Sequence, residues 1–297
     1  MYCAVVLGTM NLQTKQDKLA KILRKLDSVA VAFSSGVDST FLLKTAHELL
    51  GDQTLAVTIR ANIFPNRELD ETVQFAGQAG IKHVVIDFDA LGIAGFSQNP
   101  ANRCYLCKTE LFSRIRRIAK ERDIPHVAEG SNADDSGDYR PGLQAIAELG
   151  ILSPLRESGL TKQEIRQLSQ ELGLPTWNKP SLACLTSRIP YGEEITKERL
   201  AMIEAAEQYL LDAGFRQVRV RFHGNLARIE TDEEGIERLG NKKLRKEIHR
   251  RFKEIGFVYI SVDLLGYRTG SLNETLNDKL HSTYDHGREM IDQTLFQ

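Results

Sequence analysis

The segment Ser34-Ser35-Gly36-Val37-Asp38-Ser39-Thr40 lies between an apolar, β-branched run, Val29-Phe33, and a stretch whose apolar residues recur at helical spacing. No other feature constrains the fold as much. A strand, a Ser/Gly turn and an immediate helix start gather backbone N–H groups that lack intrahelical partners, together with the positive end of a helix dipole. Such a point binds phosphate. Gly36 allows close backbone approach, and the hydroxyls of Ser34, Ser39 and Thr40 add uncharged donors. Asp38 is suited either to help hold magnesium or to cap the helix. A Walker A loop is excluded because no lysine follows the glycine turn. A plain capped turn is the competing reading, and the position of the loop after the first sheet strand argues against it, since open α/β sheets bind ligands there.

Similar apolar runs at Leu55-Ile59, Val84-Phe88, His126-Ala128 and Ile151-Leu155 alternate with helical patterns. That rhythm predicts an α/β fold, a doubly wound parallel sheet with helices on both faces. The first of those helices has Asp38 or Ser39 as expected cap, Phe41, Thr45 and Leu49 on one stripe, and Gly51 as terminator. Others are expected over Arg67 to Gln78, Cys107 to Lys120 and Thr161 to Leu172, the last opened by a Thr161-x-x-Glu164 capping box. The expected division is a nucleotide-binding domain over 1–178, a connecting loop over 179–192 carrying Cys184, and a smaller C-terminal α+β domain over 193–297. The last of these reads as a helix from Lys197, strands at Val218-Phe222 and Ala227-Thr231, a charged helical stretch and a strand at Phe257-Val262. The acidic Asp232-Glu233-Glu234 run and the basic run from Asn241 to Arg251 read as solvated faces.

The 297 residues, 41% hydrophobic and 27% charged, suffice for two cores, and a net charge of −1 argues against a surface built to hold nucleic acid. The short apolar N-terminal run lacks the basic flank of a signal peptide, and no stretch is long enough to span a membrane, so a cytoplasmic protein is expected. Four cysteines do not make a disulfide framework in a chain of this length. Cys104-x-x-Cys107 therefore points to metal or sulfur chemistry, against the alternatives of inert thiols or a redox pair, and Cys3 reads as incidental. Zinc would need a fourth ligand, and none of the seven histidines is suitably spaced. On Val218-Phe222, residues two apart share a face, so Arg219 and Arg221 point together while Val218, Val220 and Phe222 turn to the core. Arg228 and Glu230 share a face on the expected partner strand. Paired guanidiniums suit a dianionic phosphate; a solvated face with Arg228 paired to Glu230 or Glu207 is the alternative.

The loop resembles that of the PP-loop ATP pyrophosphatase superfamily (adenine nucleotide alpha hydrolase-like), whose motif is Ser-Gly-Gly-x-Asp-Ser, with Ser35 here in place of the middle glycine. That departure bears on the local backbone geometry more than on the resemblance, since serine tolerates most turn conformations other than a strained positive φ. The resemblance implies ATP as cosubstrate, cleavage between the α and β phosphates, and adenylation of a substrate. Asn102-Arg103-Cys104-Tyr105-Leu106-Cys107-Lys108, the segment from Asp134 to Gly142, and the segment from Asn178 to Gly192 with Cys184, Ser187, Arg188, Pro190 and Tyr191 narrow it further. With Arg219-Val220-Arg221-Phe222-His223 and Asp263-Leu264-Leu265-Gly266-Tyr267-Arg268, they are similar to the LarE family over nearly the whole chain.

That likeness implies a sulfur transferase acting on pyridinium-3,5-biscarboxylic acid mononucleotide, whose thiocarboxylate product leads to the nickel-pincer cofactor of lactate racemase. One branch of the family spends a cysteine of its own and leaves dehydroalanine; another holds a [4Fe-4S] cluster on three cysteines. Cys104, Cys107 and Cys184 supply the number that a cluster with one open iron needs, which favours the cluster, while sacrificial use of Cys184 stays open. By the same likeness Arg219, Arg221 and Arg228, with Arg268 and Ser187, are expected at the substrate phosphate. Glu207 is expected either to hold a metal, to align the carboxylate or to form a salt bridge. Lys108 is expected beside the developing phosphate charge and Gly130 near the adenine. A homo-oligomer and a separate sulfide source are further implications. The competing readings are a transfer-RNA thiolase, an ammonia-dependent synthetase and a nucleotide-binding sensor without catalysis.

Overall fold

The computed structural model describes residues 11–137, 141–181 and 183–273. Cys3 and the Asp138-Tyr139-Arg140 part of the second motif lie outside the described residues. The chain divides into two units, one of Met1–Ala61, Asn66–Asp89 and Cys104–Leu182, the other of Asn62–Pro65, Ala90–Arg103 and Ala183–Gln297. No helix among the described residues is long and apolar enough to cross a membrane.

The first unit carries a four-stranded sheet in the order β3-β2-β1-β4, formed by β1 (Val29–Ala32), β2 (Thr54–Arg60), β3 (Lys82–Asp87) and β4 (Val127–Ala128). All pairings are parallel, with Ala30 opposite both Leu55 and Val127. Helices α1 (Leu12–Arg24), α2 (Val37–Leu50), α3 (Asn66–Gln78), α4 (Arg103–Lys120), α5 (Pro141–Glu148), α6 (Pro154–Ser158) and α7 (Lys162–Glu171) connect and flank it. Buried residues of β1 (Val29, Val31), α1 (Leu19, Leu23), α2 (Leu42, Ala46) and α7 (Ile165, Leu168) form one apolar core. α7 opens on the expected capping box, and Glu164 of that box also accepts from Lys15 of α1 at 2.7 Å, which fixes the two helices to each other. Because β1 has β2 on one side and β4 on the other, the strand order reverses beside it, and its carboxyl end is where the crevice of such a sheet lies.

The expected fifth strand is reduced to a single parallel bridge between Ala128 and Leu152. Pro154 is the cause, since it has no N–H to continue the ladder and instead starts α6. The cap of α2 also differs from expectation. Gly36 holds the N-cap position, and Asp38 lies inside the first turn, so among the described residues no side chain caps the N–H groups of that turn.

The second unit is built on β5 (Val218–His223), β6 (Leu226–Thr231) and β7 (Tyr259–Val262), with β5 antiparallel and β7 parallel to β6. α8 (Lys197–Asp212), α9 (Glu233–Arg238) and α10 (Lys242–Ile255) complete it. Phe222 and Phe252 each place a ring 5.9 Å from that of Phe257, which binds β5, α10 and the turn after it into one core. The acidic run is exposed at Glu233 and Glu234, as expected, and also opens a helix, since Asp232 caps α9 through the Gly235 N–H and the two glutamates occupy its first turn. Asn241 caps α10 in the same way.

Candidate functional site

The loop after β1 is held by its own hydroxyls. Ser39 Oγ accepts from the Ser34 N–H at 3.4 Å, exchanges a hydrogen bond with Ser34 Oγ at 3.1 Å and donates to the Gly36 carbonyl at 3.2 Å. Thr40 Oγ1 is buried and, among the described residues, makes no hydrogen bond. Ser35 has φ +54° and is buried, so the departure from glycine falls at the positive φ that serine tolerates least. A side chain in that left-handed region costs roughly 1–2 kcal/mol. Lys179 and Glu71 contact it there. Lys179 Nζ donates to the Ser35 carbonyl at 3.1 Å and to its hydroxyl at 3.0 Å, and that hydroxyl donates to Glu71 at 3.0 Å. Lys179 and Glu71 are themselves an ion pair.

Asp38 accepts from Asn132 Nδ2 at 3.2 Å and pairs with Lys162 Nζ at the start of α7. Gly130 backs directly onto the first turn of α2, where a Cβ would lie 3.0 Å from the Ser39 nitrogen and 3.3 Å from the Asp38 carbonyl carbon. Its nearest described neighbour is thus the helix start that follows the phosphate loop. Lys108 lays its stem against Gly142 of α5, where a Cβ would meet Lys108 Cδ at 2.7 Å. The lysines the structure brings to loop atoms are Lys162 and Lys179, and the sequence reading missed both. Neither spacing nor periodicity ties them to residues 124 and 144 positions earlier. The only trace of the first is its place just after the capping threonine Thr161.

In the second unit, Arg219 and Arg221 of β5 are buried, so the solvated-face alternative fails for them, while the expected pairing of Arg228 with Glu230 is present at 3.2 Å. Register sets Arg221 directly opposite Arg228. Like charges at that distance repel, and the fully buried Glu230 lies between them, 2.7 Å from Arg221 and 3.2 Å from Arg228. Arg228 also meets Asp263 at 3.2 Å, as does Arg268. Ser187 joins the group, its carbonyl accepting from Arg221 at 2.7 Å and its hydroxyl from Arg188 at 3.0 Å.

Glu207, of the three roles expected, forms the salt bridge. Arg188 donates to both of its oxygens at 2.8 Å, and the Val220 N–H adds a third bond at 2.8 Å. Arg219 donates to the Val218 carbonyl at 2.8 Å and lies over the Tyr267 ring at 5.3 Å. Burial, then the neighbouring Arg188 charge, holds the Arg219 pKa below its ordinary value against the opposing pull of Glu207. Among the described residues, Arg221 Nε and Arg228 Nε are buried with no hydrogen-bond acceptor. Two such donors on opposed strands match the donor set of an anion site.

The loop that carries Cys184 is pinned by Asn99, just before the first family-like segment, and by Arg103 within it. Buried Asn99 donates to the carbonyls of Ile189 at 3.1 Å and Pro190 at 2.7 Å, while Arg103 donates to Asn99 at 2.7 Å and stacks on Tyr191 at 4.3 Å. Cys184 precedes a 3-10 turn, its Sγ lies 3.0 Å from Thr186 Oγ1, and its carbonyl accepts from Arg188 at 2.9 Å. Cys104, Cys107 and Cys184 are half-buried thiols, none of them in a disulfide. The first two lie three apart on α4 and so share a helix face. Among the described residues, no three His, Cys, Asp or Glu side chains are grouped as ligands for a metal ion.

A parallel sheet whose inner strand runs through a Ser/Gly loop into an uncapped helix start, with no Walker lysine, defines the PP-loop class of ATP-using α/β proteins. No family model matches the chain. It is 38% identical over 275 residues to the pyridinium-3,5-bisthiocarboxylic acid mononucleotide synthase of Lactiplantibacillus plantarum, which spans 92% of this chain and 99% of that protein. It is 42% identical over 265 residues to an uncharacterized protein of Synechocystis, 89% of this chain and 99% of the other. The glutamine-hydrolyzing GMP synthase of Zymomonas mobilis is 28% identical over 227 residues, 67% of this chain and 42% of that protein. The chain belongs to the LarE family, that of the pyridinium-3,5-bisthiocarboxylic acid mononucleotide synthases, as the resemblance in sequence implied.

Proposed function

We propose that the protein is an ATP-dependent sulfur transferase that converts a carboxylate of pyridinium-3,5-biscarboxylic acid mononucleotide into a thiocarboxylate. The observation that carries this reading is the near full-length identity to the Lactiplantibacillus plantarum synthase. The loop Ser34 to Thr40 supports it, since its uncapped N–H groups and helix dipole suit the ATP phosphates, with Lys162 close enough to offset the charge of leaving pyrophosphate. Asp38 is the carboxylate available to a magnesium ion on ATP once Lys162 turns to phosphate. In the second unit, Arg219, Arg221, Arg228, Arg268 and Ser187 take the substrate phosphate, and Glu207 keeps Arg188 in place.

The substrate carboxylate oxygen attacks the α-phosphorus of ATP, the bond to the β-phosphate breaks, and pyrophosphate leaves. Sulfide then adds to the activated carbonyl, and AMP departs as the thiocarboxylate forms with release of a proton. For the sulfur, Cys104, Cys107 and Cys184 match in number the thiolates of a [4Fe-4S] cluster, which when bound would supply sulfide from its open iron. A second reading has Cys184 as donor. In it the Cys184 thiolate attacks the activated carbonyl and AMP leaves, giving a thioester, after which loss of the Cα proton and cleavage of the Cβ–S bond release the thiocarboxylate and leave dehydroalanine. Its support is the contact of Cys184 with Arg188, one residue from the arginine group.

Pyrophosphate release from ATP by the full-length protein, measured with the pyridinium nucleotide, with transfer RNA and with ammonia, tests the reaction. Release that requires the pyridinium nucleotide supports it, and release only with either of the others overturns it. Iron and acid-labile sulfide in protein purified without oxygen, lost together with turnover in Cys104→Ala and Cys107→Ala, support the cluster. Iron-free active protein that becomes lighter by one hydrogen sulfide per chain overturns it in favour of Cys184.

A further inference from the structure

We propose that Lys179, with Glu71, is a positioning residue that holds Ser35 in the backbone conformation the phosphate loop needs. The idea rests on the ATP-binding part of the reading above. Ser35 is the third residue beyond the end of β1, buried, at φ +54°. That conformation comes freely to glycine and at a cost to serine. Where a loop of this kind has glycine, no external device is needed. Here one is present, since a single ammonium reaches both oxygens of Ser35, its carbonyl at 3.1 Å and its hydroxyl at 3.0 Å.

The carbonyl contact is the informative one. A peptide unit is planar, so fixing the Ser35 carbonyl fixes the Gly36 N–H on the opposite edge of the same plane. That N–H begins the set of donors at the start of α2. The hydroxyl contact adds direction, because Ser35 Oγ accepts from Lys179 and therefore donates to Glu71, at 3.0 Å. Glu71 in turn pairs with Lys179, and Arg67 flanks its other oxygen at 3.7 Å. Lys179 is mostly buried, with a side chain 13% exposed, so its charge is committed to this contact rather than to solvent. Its sequence neighbourhood fits that commitment, as Arg166 of α7 donates to the Lys179 carbonyl at 2.7 Å and to that of Trp177 at 2.8 Å. Lys179 thus stands where a second glycine would make it unnecessary, and it acts on ATP through Ser35 rather than by touching it.

The test uses the full-length protein and two readouts, steady-state pyrophosphate release with the pyridinium nucleotide and calorimetric binding of a non-hydrolysable ATP analogue. Lys179→Met is expected to raise both the KM for ATP and the dissociation constant of the analogue by about tenfold to a hundredfold, the range for losing hydrogen bonds to a charged group. The KM for the pyridinium nucleotide should stay within twofold, and Lys179→Arg should recover part of the loss. In a Ser35→Gly background the same lysine substitution should cost less than about a third of its effect beside serine, because glycine reaches positive φ unaided. Unchanged analogue binding by a folded Lys179→Met protein, or an equal cost in both backgrounds, overturns the proposal. Should wild type release no pyrophosphate with the pyridinium nucleotide, the sulfur-transfer reading fails while the calorimetric arm still decides this one.

Discussion

Arg188 and Glu207 meet as a two-pronged ion pair, both carboxylate oxygens accepting at 2.8 Å, with side chains only 2% and 8% exposed. One of those oxygens also accepts the Val220 N–H, so the pair joins the Cys184 loop, α8 and β5. Removing one partner from such a pair leaves a buried charge uncompensated. Glu207→Ala should therefore destabilise the second unit by about 3–5 kcal/mol, measured by urea unfolding, and a cost below about 1 kcal/mol would contradict the anchoring role.

The same pair sets a pH dependence. Burial alone would raise the Glu207 pKa, but the Arg188 charge and its hydrogen bonds outweigh burial and hold the group below its ordinary value. A carboxylate whose folded pKa is depressed contributes stability that is present above its unfolded value, about 4.3, and is lost as pH falls through the folded value. Unfolding free energy should thus decline as pH drops below about 4.3, and less steeply in Glu207→Gln.

Gly130 offers a steric test of the phosphate loop. An alanine Cβ there would lie 3.0 Å from a backbone nitrogen of α2, and backbone yields less readily than a side chain. Gly130→Ala should cost about 1–3 kcal/mol of stability by overpacking and weaken ATP binding by roughly tenfold through displacement of the Ser39 N–H. Calorimetry with a non-hydrolysable ATP analogue checks the second effect.

Arg228 tests the anion site. Arg228→Met removes one of the two buried Nε donors and leaves Glu230 to pair with Arg221. The KM for the pyridinium mononucleotide should rise by about tenfold or more while that for ATP stays within twofold. Equal loss of both affinities would point to misfolding instead.

Self-association has a candidate surface. β7 lies at the edge of its sheet among the described residues, and Tyr259 on it and Leu264 and Leu265 just after it are 66%, 94% and 74% exposed. Leu264→Glu combined with Leu265→Glu should lower the mass measured by light scattering if this face joins copies of the chain, with ATP binding retained.

Much of the first unit was legible because its determinants are local. Strand β1, the turn and α2 follow from a β-branched run, a small-residue loop and a helical stripe ending at Gly51, whose φ is +55°. Thr161 and Glu164 marked α7 for the same reason. Where one residue outranked a pattern, the reading went astray: Pro154 ended a strand that hydrophobicity had suggested, and Gly36 took the cap from Asp38.

By itself, then, the sequence determined that a phosphate loop opens the helix after the first strand of a parallel sheet, and which residues form it, because neighbouring residues settle such a turn. Only the tertiary structure decided how Ser35 survives at positive φ and what Asp38 faces. Those outcomes depend on Lys179, Glu71 and Lys162, which lie between 36 and 144 positions away and come near only when the sheet and its helices pack. The alternation on β5 likewise put Arg219 and Arg221 on one face, but folding alone buried that face and set Glu230 between the opposed arginines.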